Sequence, residues 1–278
     1  MKKSVLVVLF LVITVFFTGC GDTSTVSETV QNTGVRLNLE QAGLPENYLS
    51  RLPEEQAEMI YEIFQIPGIR YEDTVISAMG YGDKISDIPL EMSDDLYLAM
   101  TVLTEISHTS QEQSKLRKVH VFITFFWREN RPLVKYEDKI AISYNKNIFG
   151  TDFRQFSSTV YISDGSGSMV KVKTADRPGS AWDGGAEFSV KPVYFKHSGN
   201  RLVAARNITG TAYFYLMPKD AVTYISDSVS DANRTMVAAE YIHDNNLIAH
   251  GINLLLEEND SRGFDSRATV TCGLAVER

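Results

Sequence analysis

What most limits the possible folds of this chain is one extended segment with two apolar faces. Val119, Val121, Ile123, Phe125 and Trp127 fall on one side, and His120, Phe122, Thr124, Phe126 and Arg128 fall on the other. Strand side chains alternate with a period of two, so a strand covered on both sides is apolar on both. The segment therefore predicts an interior strand. Leu96 to Ile106, just before it, is read as a second strand.

Strand signals then recur down the chain, separated by turn residues. Ile140, Ile142 and Tyr144 alternate with Ala141 and Ser143. Asp164-Gly165 divides a strand at 160–162 from one at 169–174, where Val170 and Val172 face in and Lys171 and Lys173 face out. Further strands are expected at 188–195, 202–206, 212–217, 236–243 and 247–257, with a last one over 268–276. No helical period interrupts the series, so βαβ units are excluded. The fold class expected for residues 93–278 is mainly β, an antiparallel sandwich or barrel.

Residues 39–92 read as a small helical and irregular N-terminal part. Pro53 stands in a first helical turn ahead of Glu54 and Glu55, whose charge suits a helix N-terminus. Ala57, Ile60, Tyr61 and Phe64 then form one apolar face, and Pro67-Gly68 stops the helix. Leu44, Tyr48 and Leu52 suggest a shorter turn before it. Such a piece is expected to pack on the edge or end of the sheet, with a partner-binding helix as the sharper alternative.

The first twenty residues say where the protein works. A basic Met1-Lys2-Lys3 start, an apolar run over 5–17 and Thr18-Gly19-Cys20 describe an export signal. The run is too short to span a bilayer, which takes about 20 apolar residues. Its Thr-Gly-Cys ending resembles the lipobox of bacterial lipoproteins, with Phe17 where that family most often has Leu. The resemblance implies that Cys20 becomes the lipidated first residue and carries at least two acyl chains, since a single chain holds only marginally. It divides the chain into a signal peptide over 1–19 and a polar, lipid-anchored tether over 20–38. The expected location is the extracytoplasmic face of the cell membrane, with the membrane as partner through Cys20.

Charge removes other partners. The formal net charge of −8 disfavours nucleic acid, whose binding rests on neutralising phosphates with Lys and Arg. No basic cluster follows Cys20 to hold anionic headgroups. Of the two cysteines only Cys272 is left after lipidation, so no disulfide is available to the monomer. It lies on the apolar side of the alternating run 268–276, which reads as a core thiol.

Candidates for chemistry are sparse. His243 and His250 flank Asp244-Asn245-Asn246, but two histidines do not make a zinc site. His250 shares a face with Ile248, Ile252, Leu254 and Leu256, which favours the core. His120 shares its face with Thr124 and Arg128, a possible polar cluster, and His108 and His197 read as loop residues. The loop Asp164-Gly165-Ser166-Gly167-Ser168 lacks the carboxylates of a calcium loop and the spacing of a nucleophile elbow, so a hairpin turn is the better account. No catalytic residue, metal or cofactor is therefore assigned. The candidates for ligand binding are aromatic: Trp182, in a glycine-flanked loop, and Tyr213 with Tyr215, which share a strand face and offer a stacking platform or a sheet cover. Trp127 completes an apolar face and reads as core.

The run Arg131-Pro132-Leu133-Val134-Lys135-Tyr136-Glu137-Asp138-Lys139-Ile140-Ala141-Ile142-Ser143-Tyr144, after the aromatic strand ending at Trp127, resembles a stretch in secreted proteins of Gram-positive bacteria with no assigned function. Tyr144 stands where those have Trp. The resemblance implies an exported β protein and carries no site residue.

The function expected from these readings is a non-enzymatic binding module at the cell surface, recognising a protein or carbohydrate. One alternative is an envelope hydrolase using His120 or His243 with nearby carboxylates. Another is a β-barrel carrier of a small hydrophobic ligand.

Overall fold

The computed structural model of the chain describes residues 34–78, 96–108, 114–127, 138–163, 169–190, 195–198, 201–204, 206–220, 223–224, 235–242 and 267–277. The segment with two apolar faces becomes β3 (Ser114–Trp127), an interior strand. Its antiparallel neighbours are β2 (Leu96–His108) and β12 (Arg206–Pro218), in a register that sets Leu103, His120 and Tyr215 side by side. β1 (Ile69–Ala78) pairs with β2, and β6 (Ser157–Ser163) and β7 (Met169–Ala175) extend the sheet beyond β12. Short strands β5 (Phe149–Gly150), β13 (Thr223–Tyr224) and β16 (Val276–Glu277) complete nine.

A second sheet runs in the order β15 (Arg267–Leu274), β14 (Thr235–Ile242), β4 (Asp138–Tyr144), β9 (Gly185–Val190) and β8 (Ser180–Trp182). β10 (Phe195–Ser198) and β11 (Arg201–Ala204) form a separate hairpin. Every pairing is antiparallel, and no hydrogen-bonded pair among the described residues joins the two large sheets. The sandwich is thus the form adopted, rather than the closed barrel. Its interior is filled by large side chains, among them Phe125, Trp127, Phe214, Phe188 and Tyr241. The Trp127 indole N–H donates to the Tyr241 hydroxyl at 3.0 Å, and that hydroxyl donates to the buried Asp138 carboxylate. Cys272 lies in this core as a buried thiol outside any disulfide.

Among the described residues, three helices cover the other face of the nine-stranded sheet: α1 over 34–41, α2 (Glu46–Leu49) and α3 (Glu54–Phe64). Val35, Leu39, Leu44, Tyr48, Leu49, Leu52, Ala57, Ile60 and Ile63 close on Tyr97, Ala99, Leu103, Phe122, Phe126 and Tyr213. Burying each large apolar side chain contributes about 1.5–3 kcal/mol, so this second core holds the helices firmly. The chain is therefore three layers deep, with the nine-stranded sheet in the middle. That is why β3 is apolar on both faces. Tyr48 adds a polar tie, its hydroxyl 3.3 Å from Thr124 Oγ1.

Several expectations need correction. The helical part lies on a sheet face, not at its edge or end, because the outer faces of β2, β3 and β12 are themselves apolar. Residues 34–38, read as tether, are helical, since Val35 and Leu39 belong to the helix-side core. Residues 69–78, placed in the helical and irregular part, form β1. Gly68, at φ +86°, carries the chain from helix into β1, and an added Cβ there would lie 2.1 Å from the Ile106 carbonyl oxygen. His108 and His197 belong to strands β2 and β10 rather than loops. Val170, expected to face inward, is 44% exposed, because β7 is the last strand of its sheet. Cys20, Arg128, His243, His250, the 164–168 loop and the strand expected over 247–257 lie outside the described residues.

Candidate functional site

A groove of about 390 Å³ runs between α3 and the outer face of β12, β6 and β7. Its helical wall is the first turn of α3, which presents Glu55 and Gln56, with Met59 one turn on. The opposite wall follows from strand alternation. Ser157, Thr159 and Tyr161 are two apart on β6 and share one face, while Val160 and Ile162, at the alternate positions, enter the sandwich core. Thr211 of β12 is paired with Thr159, and Lys171 of β7 with Tyr161. Ala175 and Asp176 finish the lining.

Glu55 ties the two walls together. One carboxylate oxygen accepts from the Tyr161 hydroxyl at 2.9 Å, and the other accepts from Lys171 Nζ at 2.6 Å. The Lys171 ammonium, with Tyr161 assisting, holds the Glu55 carboxyl below its usual range. Burial, reinforced by the neighbouring carboxylate, pushes the Tyr161 hydroxyl well up, so it stays a donor at any ordinary pH. Gln56 is 3% exposed, and its Nε2 has no hydrogen-bond partner among the described residues. An unmet buried amide N–H costs about 1–3 kcal/mol.

The residues singled out in the sequence do not gather at this groove. Trp182 is 43% exposed on β8, the edge strand of the second sheet. Its indole lies across Gly185 on the paired strand, where an added Cβ would come within 2.7 Å of the ring. Asp183 beside it meets Lys219 Nζ at 3.3 Å. Tyr213 is buried beneath the helical layer, with its ring centroid 4.9 Å from that of Phe122. Tyr215 is half-buried, and Lys118 Nζ stands 5.5 Å from its ring centroid. Of the two roles open to these tyrosines, Tyr213 takes that of sheet cover.

His120 sits beside them, 3% exposed. Its Nδ1 is 2.9 Å from the Tyr213 hydroxyl, and its Nε2 is 3.8 Å from Glu105 Oε2. Burial, helped by the Lys118 charge, lowers its pKa to about 4. Glu105 on its own would favour the protonated ring, but Lys118 Nζ lies 3.7 Å from the same carboxylate and offsets it. His120 is thus a neutral, enclosed imidazole. Thr124, expected to join it, turns instead to Tyr48. Among the described residues no group of three His, Cys, Asp or Glu side chains is placed to hold a metal ion. No described helix is long and apolar enough to cross a membrane.

Comparison with protein-family models, curated proteins and solved structures finds no match to this chain. The groove itself escaped the sequence reading, because Glu55 lies more than a hundred residues from Tyr161 and Lys171. One signal was available: hydroxyl residues at alternate positions 157, 159 and 161 make a polar stripe opposite apolar Val160 and Ile162.

Proposed function

We propose that this chain is a lipid-anchored, extracytoplasmic binding module, held to the membrane through acyl chains on Cys20, and that it recognises its ligand in the groove between α3 and β6. The basic start, the apolar run and Thr18-Gly19-Cys20 support the anchor. The observation that carries the binding role is a groove lined by the hydroxyl side chains of Ser157, Thr159, Tyr161 and Thr211. A hydrolase needs an acid or base free to act on its substrate, and the Glu55 carboxylate of the groove is engaged by Tyr161 and Lys171. His120, the histidine of the alternative reading that is described here, is enclosed and neutral.

The test uses the full chain. Cells given a radiolabelled fatty acid should label it, and Cys20→Ser should abolish the label and release the protein from the membrane fraction. The detergent-solubilised chain should sediment with insoluble envelope polymer from the producing cells, and a Gln56→Leu, Lys171→Glu variant should not. An unlabelled wild-type chain removes the anchor. Equal sedimentation of both proteins removes the groove. Steady turnover of the polymer that His120→Ala abolishes replaces binding by catalysis.

A further inference from the structure

We infer that the groove takes a neutral, hydroxyl-rich ligand, a segment of saccharide; this rests on the binding role proposed above and specifies its ligand class. Charge is the first ground. Among the described residues, the one ammonium lining the groove, Lys171, is already engaged by Glu55 at 2.6 Å, so these residues offer no free cation to a phosphate or carboxylate. The remaining charged group is Asp176, an exposed carboxylate, and the chain as a whole is acidic. An anionic ligand would meet net repulsion here. A cationic ligand would have to displace Lys171 from Glu55, exchanging one ion pair for another with little gain.

Hydrogen-bonding capacity is the second ground. Ser157, Thr159 and Thr211 each carry a hydroxyl, which both donates and accepts, and the Tyr161 hydroxyl, whose proton goes to Glu55, can still accept. The Gln56 side chain lines the groove beside them. A ligand rich in hydroxyls carries the same mixed capacity and can answer each group without bringing a charge into the groove. A peptide backbone offers a fixed alternation of donors and acceptors better matched to a strand edge than to side-chain hydroxyls. Met59 and the Tyr161 ring supply apolar surface for the C–H faces of a sugar ring. The volume of about 390 Å³ lies within the range of roughly 300–1,000 Å³ typical of small-molecule sites, so it holds a short segment rather than a long chain.

The experiment measures binding of the full chain in detergent micelles to three probes: neutral oligosaccharides (N-acetylglucosamine, glucose and mannose oligomers), a polyuronate, and a basic peptide. The expected result is binding to a neutral oligosaccharide that does not change between low and high salt. Gln56→Leu and, separately, the near-isosteric Thr159→Val should each weaken it about tenfold, equivalent to 1.4 kcal/mol. Unchanged thermal midpoints show that both variants fold, and Thr159→Val serves if Gln56→Leu does not. Salt-sensitive binding of the polyuronate or the peptide, lost in the same variants, overturns the ligand class and leaves the binding role standing. Oligosaccharide binding that survives both variants but is lost in Trp182→Ala overturns the groove as its seat. No binding to any probe overturns the inference, and sedimentation with envelope polymer then decides the binding role separately.

Discussion

His120 makes the stability of this protein fall with pH in a window that can be stated beforehand. Its folded value of about 4 lies below the ordinary 6.5, so the folded chain binds this proton more weakly than the unfolded chain does. The contribution is fully present above pH 6.5, is lost as pH falls from 6.5 toward 4, and saturates below 4. Each pH unit in that window is worth about 1.4 kcal/mol, so the total is roughly 3 kcal/mol. That is a large share of the 5–15 kcal/mol typical of a domain. The groups facing the imidazole are Glu105 from β2, Lys118 on β3 itself and Tyr213 from β12. Other groups add their own pH dependence to the total, so the measurement must be differential. Urea unfolding at several pH values between 7 and 4, on the wild type and on His120→Gln, isolates the term by subtraction. The variant's curve should be flatter by roughly 3 kcal/mol across the window. Parallel curves, or an imidazole proton resonance in the folded protein titrating near 6.5, would refute the reasoning.

Gly210→Ala should cost about 1–3 kcal/mol as overpacking, read as a lowered urea midpoint, because the added carbon would fall 1.7 Å from Phe125 Cε1 on the paired strand. Adding Phe125→Leu should recover part of that loss; a midpoint unchanged by the single substitution would contradict the packing described. Acrylamide should quench the fluorescence of Trp182, 43% exposed, and spare that of Trp127, 1% exposed. Comparing Trp127→Phe with Trp182→Phe assigns each signal, and equal quenching would contradict the two placements.

The strands of the sandwich were legible, while the place of the helical layer was misread and the groove was nearly invisible. Periodicity of two along β3 fixed which side chains enter the sandwich, because neighbouring Cβ atoms point to opposite faces. The same segment held the clue to the helical layer. Phe122 and Phe126 lie opposite Val121 and Phe125, and an apolar outer face must be covered. Helix α3 was readable from Pro53, its acidic first turn and its i, i+3, i+4 pattern, but nothing local states which surface such a helix meets. Glu55, Tyr161 and Lys171 look alone like solvated positions; only the antiparallel register of β12, β6 and β7 under α3 sets them within 3 Å. Tyr213 misled for a related reason. A tyrosine on an outer face reads as accessible until the layer above it is known.

Because Glu55 and Gln56 belong to α3, the helical segment forms the roof of one compartment and the doorpost of another. Shortening the chain from its beginning past Phe64 would strip both at once. The β-layers would be left with a bare greasy plain, and the cleft would become half a cleft.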